Sequence, residues 1–461
     1  MASFAPLLDQ YLNESFESKK IKADEDKSVL DFEMAMKKRT WDFSLGYVID
    51  DNKLESSSDT FNVSQVKSTS FSFGLERNFV WGGGLQFSNE FNKTDRSSVS
   101  SLFLGSSAPI QYEGAQNLTY SQFLGRNFLG RNNFKEDQIS KRTLESQKNS
   151  LKNSKLTSLL TFFGAYSQVK LSKTVLSLQR DALLRADQRL KLVRKRVKDG
   201  LSERVDLLQA QALKLTYEEN VLNEQKNLKK AEYELASILG VESFGKVKIY
   251  SKKAPKLPMP QGMIEKNLTL KSLEEKAEIS RLTSEIERTS YLPIIQAYST
   301  LKYNEYDASS SKARSKGTLF GDNKEVVLGI NLTYPIGTPL GERKHQKSNI
   351  DYMIASARQK HMQNSLTVQE KKWKERFNLL NKNVQKSRRR LILSDKVLSE
   401  YKRMYKNGKA SLDLFLNAEE DYIKNELTHV KNQFDRDILA VELSSLYGNL
   451  FEYLENNKTK F

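Results

Sequence analysis

The chain has 461 residues, of which 38% are hydrophobic and 28% are charged, and its net charge is +17. This balance disfavours a single thick core and favours long amphipathic helices with one buried stripe. The sequence contains no cysteine, which excludes disulfides, thiolate metal sites, cysteine nucleophiles and a lipidated amino-terminal cysteine. It has no run of 18 apolar residues, so no membrane-spanning helix is predicted.

The amino-terminal segment, residues 3–39, is predicted to be one helix on the outside of a helical bundle, because its apolar residues are spread among charges. This segment lacks the basic and apolar regions of a secretion signal. If the protein is exported, we therefore expect its signal to be absent from this sequence.

Alternation of apolar and polar residues next predicts four strands, at residues 41–50, 69–79, 84–93 and 117–124. The second and third strands form a hairpin around the tight turn Trp81-Gly82-Gly83-Gly84. Long polar loops, residues 55–68 and 93–116, separate the other strands. Aromatic residues are frequent throughout this region.

Two very long helical runs occupy residues 131–240 and meet at a turn near Gly200. The first run carries an apolar seam at seven-residue spacing, made by Leu176, Leu183, Leu190 and Val197. This is the spacing of a coiled coil. Leu208, Leu215 and Leu222 continue the interval past the turn, which predicts a partner helix running back antiparallel. A helix from residue 131 to 199 would be roughly 100 Å long.

The same pattern occurs twice, 208 positions apart. Five residues of the first copy reappear in the second: Gly200, Leu208, Ala210, Leu235 and Gly240 become Gly408, Leu416, Ala418, Leu443 and Gly448. An internal repeat of this length is a strong architectural signal. It divides the chain into a first repeat, residues 1–240, an equatorial linker, residues 241–262, and a second repeat, residues 263–461.

The second repeat follows the same plan with fewer strands. A helix precedes strands at residues 292–303 and 326–335, which are separated by a Ser/Lys/Gly-rich loop at residues 307–323. A second helical hairpin then covers residues 341–455, with its tip near residue 408. Strands with aromatic residues, short turns and long loops are typical of a transmembrane β-barrel. The alternative is an ordinary soluble antiparallel sheet. Since open sheet edges cannot face lipid, such a barrel would have to close by oligomerisation.

These features resemble the TolC-type outer-membrane factor family over nearly the whole chain. The resemblance rests on Gly200-Leu201-Ser202, Asp206-Leu207-Leu208-Gln209-Ala210-Gln211, the repeat from Gly408 through Asp413-Leu414 to Gly448, Tyr120-Ser121-Gln122 and Leu332-Thr333-Tyr334-Pro335. It implies a mainly α fold with a transmembrane β-barrel part: a trimeric α/β barrel of duplicated strands and long antiparallel coiled-coil hairpins.

The family resemblance also implies a function and partners. The chain would be a passive gated exit duct of a tripartite efflux pump or a type I secretion system, in the outer membrane with a periplasmic extension. Its partners would be two further copies in a homotrimer, a periplasmic adaptor (membrane fusion) protein, an inner-membrane pump and outer-membrane lipid, with no nucleic acid. Six strands per protomer would give an 18-stranded barrel, and the family's usual four would give 12.

The resemblance places the hairpin tips at the periplasmic end, where the adaptor docks and the gate closes. The docking residues would be Gly200, Leu201, Ser202, Gly408, Lys409 and Ala410, and the gate residues would be Asp206, Tyr405, Asp413 and Asn417. Asp206 and Tyr405 match a charge-assisted link between hairpins. Equally, Asp206 could cap the returning helix. Ala410 stands where the family has an arginine link, and Asp413 is one residue away from a constriction position.

The sequence predicts no catalytic, cofactor or metal site, and therefore no enzyme. Its three histidines lie far apart without ligand spacing. The basic cluster Lys386-Ser387-Arg388-Arg389-Arg390 is interpreted as a solvated helix face. The rival hypothesis is a soluble basic coiled-coil scaffold that binds nucleic acid or acidic partners, and it predicts a chain made only of helices.

Overall fold

The structure is a computed structural model that describes residues 4–37, 39–52, 66–96, 109–242, 257–318, 321–334, 336 and 340–457. Most of the predicted linker, residues 243–256, lies outside these ranges. The chain forms two compact units: Met1–Ser28 with Ser146–Glu274 and Ala357–Phe461, and Val29–Glu145 with Glu275–Ser356. Among the described helices, none is long and apolar enough to cross a membrane. The predicted repeat boundaries stay a prediction.

The second unit contains one antiparallel sheet whose strands pair in chain order. The strands are β1 (Asp42–Asn52), β2 (Val66–Asn78), β3 (Gly83–Asp95), β4 (Ile110–Phe123), β5 (Ile294–Asp307) and β6 (Lys324–Thr333). Each overlaps one of the six predicted strands. The largest difference is in β4, because residues 110–116, predicted as polar loop, pair in register with β3. A helix-only chain, as the scaffold hypothesis requires, is wrong.

The register gives the sheet one apolar and one polar face. Tyr47, Phe71 and Phe91 lie side by side on the apolar face. The exposed residues on this face include Phe43, Leu45, Ile49, Val326, Leu328, Ile330 and Leu332. On the other face Thr119 and Thr300 share a hydrogen bond of 3.0 Å. The two faces therefore suit two different surroundings, one apolar and one aqueous.

The chain also forms nine α-helices among the described residues. They are α1 (Phe4–Glu14), α2 (Phe16–Lys37), α3 (Arg131–Lys198), α4 (Arg204–Leu239), α5 (Leu268–Glu287), α6 (Ser310–Lys316), α7 (Leu340–Lys406), α8 (Leu412–Leu446) and α9 (Leu450–Asn457). Two differences from the sequence analysis stand out. Helix α6 lies inside the predicted loop 307–323, and the second hairpin ends at residue 446 rather than 455, with α9 as a separate helix.

The two hairpins of the first unit pack as antiparallel pairs. Val193 of α3 shares a core cluster with Ala210 of α4, and Ala186 of α3 shares another with Tyr217 of α4. Moving back along α3 thus moves forward along α4, as antiparallel helices require. The predicted α3 seam is confirmed at Leu176 and Leu190, which are buried. In α4, however, the buried residues include Ala210, Tyr217 and Val221 rather than the leucines at seven-residue spacing.

The α4 leucine stripe, which we define as Leu208, Leu215 and Leu222, points away from this core. These side chains are 56%, 62% and 64% exposed. The seven-residue repeat is real, but it lies on a face of α4 that is mostly exposed in the described part of the chain. The repeat therefore does not mark the contact between α4 and α3.

The prediction of one amino-terminal helix on the outside of the bundle is wrong for its first part. Helix α1 ends before Ser15, and its apolar residues at i, i+3, i+4 and i+7 spacing form one buried face: Phe4, Leu7, Leu8 and Tyr11. Tyr11 stacks on Phe162 with ring centroids 4.7 Å apart. The aromatic face of α1 thus belongs to the core of the first unit, and only α2 is largely exposed.

Candidate functional site

The two hairpin tips, residues 199–203 and 407–411, have the same backbone geometry 208 positions apart. Gly200 and Gly408 both have φ of +72°. The Leu201 amide donates to the Arg196 carbonyl at 2.7 Å, and the Lys409 amide donates to the Met404 carbonyl at 2.8 Å. This is a helix C-cap in which the left-handed residue is glycine, because a side chain would be strained there. The duplication seen in the sequence is therefore a structural one at the tips.

The two returning helices begin differently. At the first tip the Asp206 carboxylate accepts from the Glu203 amide at 3.3 Å, and the Glu203 side chain accepts from the amide of Asp206, which makes a capping box. At the second tip Ser411 occupies the cap, and its hydroxyl accepts from the Leu414 amide at 3.4 Å. Asp206 thus has the capping role that the sequence analysis kept as its alternative.

A small apolar cluster joins the two hairpins just behind the tips. Its buried members come from all four helices: Leu190, Val193, Ala210, Tyr405, Leu412 and Phe415. The Tyr405 and Phe415 rings stack with centroids 5.7 Å apart. The Tyr405 hydroxyl is buried and has no hydrogen-bond partner among the described residues. A buried hydroxyl without a hydrogen-bond partner is energetically unfavourable, so the Tyr405 hydroxyl destabilises this packed arrangement of the tips.

Arg196, near the end of α3, fastens the two tips to each other. Its Nη1 donates to the carbonyls of Tyr405 at 2.8 Å and Lys406 at 3.3 Å, both at the end of α7. Its Nε and Nη2 donate to the Ser202 hydroxyl and the Leu201 carbonyl, each at 3.2 Å, in its own tip. The guanidinium also lies 4.7 Å from the centre of the Tyr405 ring. We call this set of contacts the Arg196 clasp.

Arg196 is not among the predicted gate residues, although Ala410 was expected to replace the family's arginine link. The residue that the repeat pairs with Arg196 is Met404, so comparison of the two copies gives no sign of a conserved role for it. One chemical feature of the sequence did point to Arg196. Arg196 is a basic residue in the last turn of a helix, where a cation can bind free carbonyls.

The structure places the predicted site residues as follows. Among the gate residues, Asp206 is partly exposed and bound within its cap, Tyr405 is buried, and Asp413 and Asn417 are exposed on α8. No described hydrogen bond joins Asp206 to Tyr405. Among the docking residues, most are exposed, with Ser202 and Ala410 half-buried. The gate and docking roles of these residues stay predictions.

A second group of charges lies deeper between the hairpins. Arg189 and Glu419, both nearly fully buried, form an ion pair, and Arg185 approaches the same carboxylate at 3.5 Å. The Arg185 guanidinium also lies 5.4 Å from the centre of the Tyr422 ring. Breaking a buried ion pair by removing one partner is strongly destabilising. This pair therefore holds α3 to α8, and its members are too far apart in sequence for spacing to predict it.

Another buried carboxylate, Asp437 on α8, lies in the core of the first unit. Burial raises its pKa to about 6, although Arg436 and Lys170 oppose this shift. The Arg436 guanidinium donates to the Asp437 carboxylate from Nε at 2.9 Å. Asp437 therefore changes its charge within the pH range of ordinary measurements.

The sequence matches the model of a known protein family. Residues 93–241 match the family model described as outer membrane efflux protein. This range covers β4, α3 and α4, and it includes the first tip. No functionally curated protein matches the sequence significantly.

Solved structures resemble nearly the whole chain. VceC of Vibrio cholerae is 14% identical with a TM-score of 0.71, covering 97% of this chain and 96% of that one. The CmeC channel of Campylobacter jejuni is 11% identical with a TM-score of 0.69, covering 100% and 90%. The open MtrE channel of Neisseria gonorrhoeae is 13% identical with a TM-score of 0.68, covering 96% and 89%. At these identities the likeness shows a shared fold, and the predicted TolC-like fold class is confirmed.

Proposed function

The chain resembles the TolC-type outer-membrane efflux channels in sequence and in fold, and from this premise we propose that three copies of it form an outer-membrane exit duct. The duct would serve a tripartite efflux pump or a type I secretion system. It would be passive, gated at the periplasmic tips and opened when partner proteins dock there. An inner-membrane pump would supply the energy and choose the substrate.

The observation that carries this proposal is the amphipathic sheet with two open edges. Among the described residues, strands β1 and β6 are each paired on one side only, and both carry exposed apolar side chains. An unpaired strand edge cannot face lipid, because its backbone groups would lack hydrogen-bond partners. Pairing β1 of one copy with β6 of the next would remove every edge. Three copies of a six-stranded sheet would then give the 18-stranded barrel rather than the 12-stranded one.

The α4 leucine stripe supports the same assembly from the helical part. Three leucines more than half exposed on one helix face are expected to be buried by a partner, since burial of apolar side chains is the main favourable term in association. Helix α7 also carries exposed apolar residues, including Ile350, Met353, Leu379, Ile392 and Leu393. We propose that the α4 stripe of one copy packs on a neighbouring copy.

The gate would close through the Arg196 clasp. If the second hairpin moves outward, the two bonds to the Tyr405 and Lys406 carbonyls must break, together with the contact on the Tyr405 ring. Asp206, Asp413 and Asn417 would complete the gate. Asp206 would bind Tyr405 only after its capping hydrogen bond to the Glu203 amide has broken. The exposed tip residues, Leu201 and Lys409 above all, would contact the hairpins of a periplasmic adaptor.

Site-directed cross-linking tests the assembly, because the chain has no native cysteine. Tyr47→Cys on β1 is combined in turn with Val326→Cys, Leu328→Cys and Ile330→Cys on β6. At least one pair is expected to give covalent dimers and trimers in membranes. The control pairs Tyr47→Cys with Phe87→Cys on β3, an interior strand. Cross-links from the control alone, or from no β6 partner, would contradict closure between copies.

A further inference from the structure

Helix α6, the short helix between β5 and β6, packs closely on one face of the sheet. Ala313 is fully buried, and Gly317 is buried beside it. A side chain on Gly114 of β4 would collide with the Ala313 carbonyl, and one on Gly317 would collide with the Gly114 carbonyl. The two glycines therefore allow α6 to lie directly against β4, so this segment has a defined place on the sheet.

The face that α6 covers is the apolar one. Gly114 pairs with Phe91, which pairs with Phe71, so all three positions share that face. The Arg314 guanidinium lies 4.3 Å from the centre of the Phe91 ring. Phe91 in turn stacks on Tyr112 with centroids 5.8 Å apart. Helix α6 thus adds a cation over an aromatic pair on the face proposed to meet lipid.

The cations of α6 are not neutralised by their neighbours. Lys312, Arg314 and Lys316 are exposed, the helix has no acidic residue, and no ion pair is described for any of the three. The nearby carboxylates have other partners. On the face that α6 covers, Glu305 accepts from Asn323 at 2.5 Å, and Asp307 accepts from the Ser309 amide at 2.7 Å. Three unpaired positive charges therefore lie together at one end of an apolar surface.

The position of α6 along the strands matches a membrane boundary. At the opposite end of β3 the side chains of Trp41 and Trp81 are exposed, and the Arg77 guanidinium lies 5.6 Å from the centre of the Trp41 ring. From Gly83 to Phe91 the strand has nine residues, about 26 Å between its ends at roughly 3.3 Å per residue. A transmembrane strand needs about 9–11 residues between its two aromatic belts. Helix α6 lies where the second belt should be.

We propose that α6 is an interfacial anchor whose Lys312, Arg314 and Lys316 bind the phosphate groups of membrane lipids. This inference rests on the proposed function, since it requires the apolar face to contact lipid. Aromatic rings at the edge of the hydrocarbon and basic side chains among anionic headgroups are the usual residues of such a boundary. The anchor would fix the depth of the sheet in the membrane at the end of the strands opposite Trp41 and Trp81.

Native mass spectrometry of the full chain in neutral detergent tests this anchor. Short-chain phosphatidylglycerol, diphosphoryl lipid A and phosphatidylcholine are titrated in parallel. The wild-type protein is expected to bind both anionic lipids more tightly than phosphatidylcholine. Lys312→Gln combined with Arg314→Gln and Lys316→Gln should weaken anionic binding by roughly 10- to 100-fold and leave phosphatidylcholine unchanged. The matched control replaces Arg388, Arg389 and Arg390, three exposed cations of α7, with glutamine, and should bind like wild type.

The other possible outcomes contradict either the anchor proposal or the proposed exit-duct function. Equal anionic binding by the α6 variant and the wild type would overturn the anchor. Displacement of the lipid by millimolar inorganic phosphate would show a free-phosphate site and would also overturn it. Channel recordings in phosphatidylcholine bilayers distinguish failure of the anchor proposal from failure of the proposed exit-duct function. If the wild type conducts there, the exit duct stands without the anchor, whereas absence of channels in every bilayer contradicts the proposed function itself.

Discussion

The Arg196 clasp leads to the most specific prediction, that Arg196→Met opens the tip. Methionine keeps an unbranched apolar stem and is the residue found at the matched position 404, so the apolar cluster behind the tip is expected to stay packed. The substitution removes two hydrogen bonds to the second tip, those to the carbonyls of Tyr405 and Lys406, and the contact on the Tyr405 ring. The bonds to Leu201 and Ser202 lie within the first tip and do not oppose opening.

The size of the effect follows from these lost contacts. A hydrogen bond from a charged donor contributes about 1.5–3 kcal/mol when buried, and the partial exposure of Arg196 places both bonds near or below the lower limit. The cation–π contact adds about 0.5–1 kcal/mol. Allowing for water that solvates the freed carbonyls, the closed state should lose about 2 kcal/mol per protomer. This shifts the opening equilibrium of one hairpin by roughly 30-fold.

Single-channel recording in planar bilayers measures this shift as the fraction of time spent in the high-conductance state. Arg194→Met is the control, since Arg194 is an exposed arginine on the same helix with no described polar contact. We expect Arg196→Met to be mostly open and Arg194→Met to stay mostly closed, with similar melting temperatures. If Arg196→Met is as closed as the wild type while folding normally, the clasp is not the gate.

Three further predictions concern other parts of the chain. Gly200→Ala should lower stability by about 1 kcal/mol, because φ is +72° there, whereas Gly164→Ala in helical α3 should raise it by about 0.5–1 kcal/mol; thermal melts that show the same sign for both would contradict this. Burial raises the pKa of Asp437 from 3.8 to about 6, so its contribution to stability is present below pH 4 and lost as the pH rises through 6. The melting temperature of the wild type relative to Asp437→Asn should therefore fall between pH 4 and pH 7, and a pH-independent difference would refute the assignment. Serine at all three positions of the α4 leucine stripe should leave the helical content unchanged but convert trimers to monomers in a mass measurement, and intact trimers would show that the stripe is not an interface.

The features that could be predicted from the sequence are those that repeat at a regular spacing or occur twice in the chain. The α3 seam, the six strands and the two tips follow from spacings of seven, two and 208 residues, and each has a counterpart in the structure. Periodicity does not say which neighbour an apolar stripe will meet. The α4 leucine stripe shows this, because its repeat is regular while its side chains face away from α3.

The missed features depend on contacts between distant residues. Arg196 binds carbonyls that lie more than 200 positions away, and its repeat partner Met404 has no such chemistry. Arg189 and Glu419 are likewise brought together only when α3 and α8 pack. Helix α6 was hidden for another reason: its serines, lysines and arginine have the composition of a loop, and its close packing on β4 depends on the two glycines at positions 114 and 317.

The most direct test of a gated exit duct is the conductance of detergent-extracted wild-type protein in a planar bilayer, with the oligomer mass measured on the same sample. The account predicts a trimer with a small, mostly closed conductance. A monomer without channel activity in any bilayer would contradict it.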